Sequence, residues 1–216
     1  MHLDKQLQQA LRRIADRIKT GSRPYLVADH LALSRMGPLS MQVLKDNNVT
    51  YVDNPATHWV LDSFVQRAQK EGWEPERAKR ATSVMNELIK LNEGVDERLT
   101  KTQEAIGERI DKRKASGEDP AADKWIEMFR AAWAKRQPMT ITGDLDFDGY
   151  PDSTASPSPQ RYLNSFLSLI DALPQDAEIV LLSGSPAIIS NVVKFEEEQG
   201  HIHTVVVDEN EVSSSA

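Results

Sequence analysis

The stretch TGDLDFDGYPDSTA (142–155) concentrates carboxylates at a spacing that suits cation chemistry. Three aspartates stand at every second position and a fourth follows: Asp144, Asp146, Asp148 and Asp152. Carboxylates this close repel one another, and no Lys or Arg lies between Arg136 and Arg161 to offset them. Hard oxygen ligands of this kind suit Mg²⁺ or Ca²⁺. The stretch therefore predicts a divalent cation site.

The same stretch begins like a calcium-binding loop of the EF-hand type. Asp144, Asp146, Asp148 and Gly149 take the first, third, fifth and sixth positions of that loop. The twelfth position needs a glutamate and holds Ala155 instead. A degenerate single calcium loop stays open as an interpretation, and a full EF-hand is not predicted.

Five short apolar runs predict buried strands. They are PYLVAD (24–29), VTYVDN (49–54), MTITGD (139–144), EIVLLSG (178–184) and HTVVVDEN (203–210). The last three alternate with helical patterns over 158–174 and 185–200, which implies right-handed crossovers and parallel pairing. The sequence therefore predicts an α/β fold with a five-stranded, mainly parallel sheet.

Four of the five predicted strands end in an acid. In an open parallel sheet, ligands bind outside the carboxyl ends of the strands, so these acids are expected to meet at one edge. The candidate metal ligands are Asp29, Asp53, Asp144, Asp146, Asp148 and Asp208. A divalent ion held there would bind phosphate oxygens and activate water. Because Asp also serves at strand ends as a turn or helix-capping residue, that role stays open for each.

The region between the second and third predicted strands, 56–137, is highly charged and has helical periodicity. Within it, apolar residues over 75–115 follow a spacing close to a heptad. We expect an inserted helical unit that covers the sheet or projects as an arm, and this face is a candidate homo-oligomer seam. The segment is either one long helix or a hairpin that turns near Gly94. The predicted divisions of the chain are 1–55, 56–137, 138–210 and a tail at 211–216.

Two of these motifs together resemble haloacid-dehalogenase-like phosphatases. Their first motif is a strand that ends in Asp-x-Asp, and their second is similar to IVLLSGS (179–185). The resemblance implies that Asp144 is the catalytic nucleophile, Asp146 is the acid/base and Ser183 binds phosphate. The third-motif lysine is matched only by Lys194, within a helical pattern. The paired acids of the fourth motif are absent unless Asp208 and Glu209 substitute for them.

Two nuclease-related groups also resemble parts of the chain. The stretch DLDFDG is similar to the Asp-x-Asp segment of Toprim domains, whose early glutamate is replaced here by Asp29. The run VLLSGS before a helix is similar to NYN/PIN domains, but Ser185, Pro186 and Ala187 stand where that group has acids. Each of the three resemblances departs from its family at a catalytic position.

Charge is unevenly distributed along the chain. Residues 137–216 hold 2 Lys+Arg against 13 Asp+Glu, a net charge of −11. Such a surface attracts a basic protein partner and repels nucleic acid unless metal ions screen it. We therefore expect a non-enzymatic interaction or assembly protein that uses this acidic face and the helical arm. The alternative is a Mg²⁺-dependent phosphoryl-handling enzyme, phosphatase or nuclease-like, that uses Asp144 and Asp146.

The chain has no cysteine, which excludes disulfides and cysteine-ligated zinc and fits a reducing compartment. No apolar run approaches the roughly 18 residues that a membrane span requires. The first 21 residues carry an amphipathic helical pattern and lack the apolar core of a secretory signal. A cytoplasmic location without membrane partners is therefore expected.

Overall fold

A computed structural model describes residues 3–15, 23–71, 76–92, 96–118, 158–199 and 204–208. Within them the helices are α1 (Leu3–Ala15), α2 (His30–Leu33), α3 (Pro38–Asp46), α4 (Pro55–Glu71), α5 (Glu76–Leu88), α6 (Glu97–Ala115), α7 (Ser158–Ala172) and α8 (Pro186–Gln199). The strands are β1 (Tyr25–Ala28), β2 (Thr50–Tyr51), β3 (Ile179–Ser183) and β4 (Thr204–Asp208).

The four strands form one parallel sheet in the order β2-β1-β3-β4. Tyr25 pairs with Thr50 on one side and with Ile179 on the other, and Ile179 pairs in turn with Thr204. Every residue of β3 is buried, as a central strand covered on both faces requires. The parallel sheet predicted from the sequence is confirmed over these four strands, and the strand predicted at 139–144 lies outside the described residues.

The sheet changes direction between β1 and β3. The connection from β1 leads outward to β2, and the connection from β3 leads outward to β4 on the other side. Because parallel crossovers are right-handed, these two connections place their helices on opposite faces of the sheet. In agreement, α3 contacts α1, whereas α8 contacts α7. The boundary between β1 and β3 is therefore a topological switch point.

The charged helices that follow β2 belong to the main body of the molecule. Helix α4 contacts α5 and α6, α5 also contacts α2, and α6 contacts α7. Their apolar side chains, such as Phe64, Met85 and Leu99, lie in the same hydrophobic core as the sheet residues. Each helix has one apolar face that needs cover, and the rest of the chain supplies it. The structure thus does not confirm a separate inserted arm between the second and third predicted strands.

The heptad-like segment at 75–115 contains two helices rather than one. Helix α5 ends at Leu88 in a 3₁₀ turn (Ile89–Leu91), and α6 starts after Asp96, whose Oδ1 accepts a 2.6 Å hydrogen bond from the Arg98 amide. The apolar positions of the predicted seam that lie in the described helices are covered within the chain, at 5% exposure or less: Ala81, Met85, Leu88, Leu99, Ile106 and Ile110. Among the described helices, none is both long enough and apolar enough to cross a lipid bilayer.

Candidate functional site

Asp29 and Ser183 meet at the switch point. Asp29 follows β1 and caps α2, where its Oδ1 accepts a 2.8 Å hydrogen bond from the Ala32 amide. Its Oδ2 accepts a 2.5 Å bond from the Ser183 hydroxyl at the end of β3 and a 3.0 Å bond from the Gly184 amide. Both side chains are fully buried. The parallel sheet therefore joins two residues that the sequence predicted as ligand-binding.

Burial destabilises the charged form of the Asp29 side chain. It raises the pKa of Asp29, while the hydrogen bonds from Ser183, Ala32 and Gly184 act in the opposite direction. Three donors on one buried carboxylate are the compensation that burial of such a group requires. Asp29 is thus held in one orientation by two strands and a helix start.

The Ser183 side chain also organises the turn into α8. Its Oγ accepts a 3.0 Å hydrogen bond from the Ser185 amide, and the Ser185 hydroxyl accepts a 3.4 Å bond from the Ile188 amide. The turn 183–185 therefore places the beginning of α8 beside Asp29. The first turn of a helix carries partial positive charge, which suits an anionic ligand group.

A second cluster of polar side chains surrounds the hydroxyl of Tyr162, next to Asp29. This hydroxyl lies 2.9 Å from His30 Nδ1, 3.1 Å from Thr57 Oγ1 and 3.4 Å from the His30 amide nitrogen. Burial lowers the pKa of His30 to about 3, so the ring is neutral at physiological pH. Burial raises the pKa of Tyr162, and the charge of Asp29 adds to this effect. The two polar groups are therefore electrostatically coupled.

Further buried hydrogen bonds connect the beginning of α4 with α7 beside this cluster. Asn54 Nδ2 donates to Ser165 Oγ at 2.9 Å, and Ser165 Oγ donates to the Tyr162 carbonyl at 2.6 Å. Tyr51, on β2, is fully buried, and its hydroxyl lacks a hydrogen-bond partner among the described residues. Burial raises the pKa of Tyr51, with smaller contributions from the charges of Asp53 and Tyr162. Polar groups thus extend under the edge from β2 to β3.

Asp53, which follows β2, forms an ion pair with a histidine. His58 Nε2 lies 2.7 Å from Asp53 Oδ1, and Gln103 on α6 donates a 2.9 Å hydrogen bond to the Asp53 carbonyl. Partial burial alone lowers the pKa of His58, but the hydrogen bond and charge of Asp53 outweigh it and the net shift is upward. Asp53 is 22% exposed, so its carboxylate borders solvent at this edge.

The parallel sheet arranges the predicted residues in a row along its carboxyl edge. The order is Asp53 after β2, Asp29 after β1, Ser183 at the end of β3, and Asp208 paired with Ser183 at the end of β4. Within the described part of the chain, no three His, Cys, Asp or Glu side chains are grouped closely enough to hold a metal ion. Asp144, Asp146 and Asp148 lie outside the described residues.

Sequence reasoning missed the polar group around Tyr162. Tyr162 fitted the apolar stripe of α7, and Thr57 and Asn54 belong to no motif. One signal was available: α7 carries Asn164, Ser165 and Ser168 but no charge between Arg161 and Asp171. A helix without charges on any face is buried all round, and polar residues within it need buried partners. All residues from 162 to 170 are indeed buried.

Comparison of the chain with protein-family models, with curated proteins and with solved structures found no match. The geometry of the carboxyl edge therefore carries the functional argument.

Proposed function

We propose that the protein is a divalent-metal-dependent enzyme that acts on phosphoesters at the carboxyl edge of the sheet, next to β1 and β3. One observation carries the proposal: the Asp29–Ser183 contact coincides with the topological switch point. Open α/β sheets bind their ligands in the crevice at this point, outside the carboxyl ends of the strands.

The buried polar residues below the edge support the proposal. Such networks lower stability relative to an apolar core unless every member is paired. Their presence around a buried carboxylate with a raised pKa is typical of functional sites. The acidic stretch also precedes α7 directly in the sequence, with Asp152 six residues before Ser158. Helix α7 carries Tyr162, which is bonded to the residue after Asp29.

The described carboxylates do not complete an ion site alone. Both oxygens of Asp29 accept hydrogen bonds within the chain, and one oxygen of Asp53 faces His58. In our proposal the ion therefore depends on Asp144, Asp146 and Asp148, with Asp53 and Asp208 at the same edge. Direct ligation by Asp29 and a phosphate contact by Ser183 stay predictions. A fifth strand at 139–144 is part of the same proposal.

The proposed chemistry follows the phosphatase resemblance. Asp144 attacks phosphorus, the bond to the leaving oxygen breaks, and Asp146 gives its proton to that oxygen. Water then attacks the phosphoryl group on Asp144, with Asp146 as the base, and releases phosphate. The metal ion supplies charge stabilisation for the phosphoryl oxygens.

A phosphoester panel tests this proposal. Phosphomonoesters, phosphodiesters and a short oligonucleotide are incubated with Mg²⁺ or Mn²⁺, and with EDTA as the metal-free arm. We expect metal-dependent turnover that falls by about 10²-fold or more in Asp144→Asn and in Asp146→Asn. Asp176→Asn, an exposed acid outside the stretch, is the matched control and keeps wild-type turnover. Absence of metal-dependent turnover in the wild-type protein contradicts the proposal.

A second candidate function is interaction with a basic protein partner. Glu197 and Glu198 are exposed in the last turn of α8, where the helix dipole disfavours anions, and Lys194 lies 3.8 Å from Glu198. A basic partner would relieve this unfavourable arrangement. Titration with a lysine-rich peptide at two salt concentrations tests it. Salt-sensitive binding that weakens in the double variant Glu197→Gln/Glu198→Gln favours this candidate, and binding unchanged by the variant contradicts it.

A further inference from the structure

A cavity of about 140 Å³ lies at the amino edge of the sheet, opposite the carboxyl edge. Ile179, the first residue of β3, lines this cavity together with the last turns of α7 and α8. Its apolar wall includes the side chains of Ile170, Leu173, Ala177 and Phe195. A cavity of about 150 Å³ lined by Leu, Ile and Phe side chains accommodates a molecule the size of benzene. The space between α7, α8 and β3 therefore fits an apolar group of similar size.

A buried carboxylate also faces this cavity. Glu196, in the last turn of α8, is among its lining residues and is only 7% exposed. The Thr204 hydroxyl of β4 donates a hydrogen bond to Glu196 Oε1. An ionised carboxylate has about four acceptor positions, so this bond is compatible with a further donor. Glu196 thus places a charged acceptor beside the apolar side chains.

Two helix ends add negative potential to the same cavity. The carbonyl end of a helix carries partial negative charge, which basic residues in the last turn complement. Neither α7 nor α8 has a basic residue in its last turn. An acid stands there in each helix, Asp171 in α7 and Glu196 in α8. The electrostatic potential between the two helix ends is therefore favourable for a cation.

Arg98 of α6 is the only cation among the described residues that line the cavity. Its Nη2 lies 2.9 Å from Asp171 Oδ2, so the charges of these two side chains offset each other. The Glu196 carboxylate and the two helix ends then determine the sign of the potential. An anionic ligand is repelled, and an uncharged ligand gains only the burial of its apolar part. The cavity thus favours a ligand that is both apolar and positively charged.

We infer that this cavity is a binding site for a small organic ammonium, a primary amine on a short apolar chain. The apolar chain occupies the space beside Leu173, Ile179 and Phe195, and the ammonium donates a charge-assisted hydrogen bond to Glu196. The helix ends stabilise the same charge. Because the cavity lies at the amino edge of the sheet, this binding does not depend on the function proposed for the carboxyl edge.

Two-dimensional NMR of the ¹⁵N-labelled full chain at pH 7 tests the inference with ligands of similar shape and different charge. Isopentylamine is cationic, isopentyl alcohol is neutral and isocaproate is anionic, and sodium chloride at the same concentration controls for ionic strength. We expect isopentylamine to shift the amide signals of Leu173, Ile179 and Phe195. Its Kd is expected to be lower than that of the alcohol by about tenfold, the effect of one hydrogen bond to a charged group. Isocaproate is expected to leave these signals unchanged.

Glu196→Gln removes the charge of the carboxylate and keeps the size of the side chain. Its matched control is Glu197→Gln, because Glu197 is the next residue of α8, is exposed and does not line the cavity. We expect the Kd of isopentylamine to rise about tenfold in Glu196→Gln and to stay within about twofold of the wild-type value in Glu197→Gln. Circular dichroism verifies that both variants are folded, and the comparison of ligands on the wild-type protein needs neither variant.

Three results overturn the inference. The first is equal affinity of the wild-type protein for the amine and the alcohol, or tighter binding of isocaproate. The second is an equal loss of amine binding in Glu196→Gln and Glu197→Gln, because general attraction to the acidic end of α8 then explains the binding. The third is a set of amine-induced shifts that leaves out Leu173, Ile179 and Phe195, because the amine then binds elsewhere.

Discussion

The Ser183 hydroxyl donates a 2.5 Å hydrogen bond to the Asp29 carboxylate, between residues 154 positions apart in the chain. The bond lies where β1 and β3 end side by side, and both side chains are excluded from solvent. It therefore joins the ends of the two central strands at the candidate site. Its dual role makes it the first contact to test.

Ser183→Ala is expected to lower the free energy of unfolding by about 1.5–3 kcal/mol at a pH above the pKa of Asp29, because a buried carboxylate loses a donor. Urea denaturation measures this change. Ser168→Ala is the control: Ser168 is also buried, but its hydroxyl donates to the Asn164 carbonyl within α7 at 2.9 Å. Ser168→Ala is expected to lower the free energy of unfolding by only about 0.5–1 kcal/mol, as for loss of a hydrogen bond between uncharged groups. Equal losses in the two variants contradict the importance of the Asp29 contact.

The effect of Ser183→Ala is expected to depend on pH. The pKa of Asp29 is raised in the folded protein by burial, so the folded state takes up a proton more readily than the unfolded state. Once Asp29 is protonated, the missing donor costs less. The difference in unfolding free energy between Ser183→Ala and wild type therefore shrinks as the pH falls through the raised pKa of Asp29. A difference that grows on acidification contradicts this account.

The Asp53–His58 pair also predicts a pH-dependent stability, but here the pKa shift comes from an ion-pair partner and not from burial. Although burial acts against it, the net pKa of His58 is raised by Asp53 and Asp62, with Lys114 opposing. The stabilisation is then fully present below the unfolded value of about 6.5 and is lost as the pH rises through the folded pKa. Because the pair is partly exposed, we expect His58→Gln to cost less than about 1 kcal/mol at pH 6 and nothing at pH 9.

Urea denaturation of His58→Gln and Asp53→Asn between pH 6 and pH 9 checks this prediction. Each single variant is expected to lose the part of the wild-type free energy of unfolding that depends on pH through this pair. The double variant is expected to lose no more than either single variant. Additive losses show that the two residues act independently and contradict the pair.

The sequence predicted the parts of the fold that depend on local pattern. Apolar runs such as EIVLLSG have one stable environment, the middle of a covered parallel sheet, so β3 and the positions of Asp29 and Ser183 at strand ends were predictable. Strand β2 is shorter than its run because Asn54 leaves the strand to cap α4, with its Oδ1 bonded to the Ala56 amide. Capping competes with strand extension at such a boundary.

Long-range partners were not predictable from one chain. The periodicity of α5 and α6 indicates which face is buried but not what covers it, so a dimer seam and an internal layer have the same pattern. The Tyr162–His30 contact spans 132 positions, and no local pattern reports on it. The chemistry of the site depends on such contacts, and sequence therefore predicts its ligand types better than its geometry.

Leu88→Asp distinguishes an internal layer from a dimer seam. Leu88 is fully buried within the chain, so an unpaired charge there is expected to unfold the protein, since leaving a buried charge unpaired costs several kcal/mol. Leu39→Asp is the control, because Leu39 is 69% exposed and the same substitution is expected to be nearly neutral. Circular dichroism and sedimentation velocity report the result. A folded monomer of Leu88→Asp, from a dimeric wild-type protein, supports the seam instead.

The acidic stretch gives the most direct test of a cation site. Asp144, Asp146, Asp148 and Asp152 lie close together in sequence without a basic residue among them. Their like charges are therefore expected to repel one another, and a divalent cation would relieve that repulsion. A ligand that binds the folded state raises the melting temperature by mass action. We therefore expect millimolar Mg²⁺ or Ca²⁺ to raise the melting temperature in proportion to the logarithm of its concentration.

Asp144→Asn is expected to abolish this rise and to leave the metal-free protein as stable as wild type or slightly more so, because it removes one repulsive charge. Asp176→Asn, with an exposed side chain outside the stretch, keeps the full rise. Differential scanning calorimetry with and without metal measures both variants. A rise that persists in Asp144→Asn places the ion elsewhere, whereas a rise without phosphoester turnover assigns the ion a structural role. If the wild-type protein shows no rise, the aspartates carry solvated charge, and docking of a basic partner becomes the better supported function.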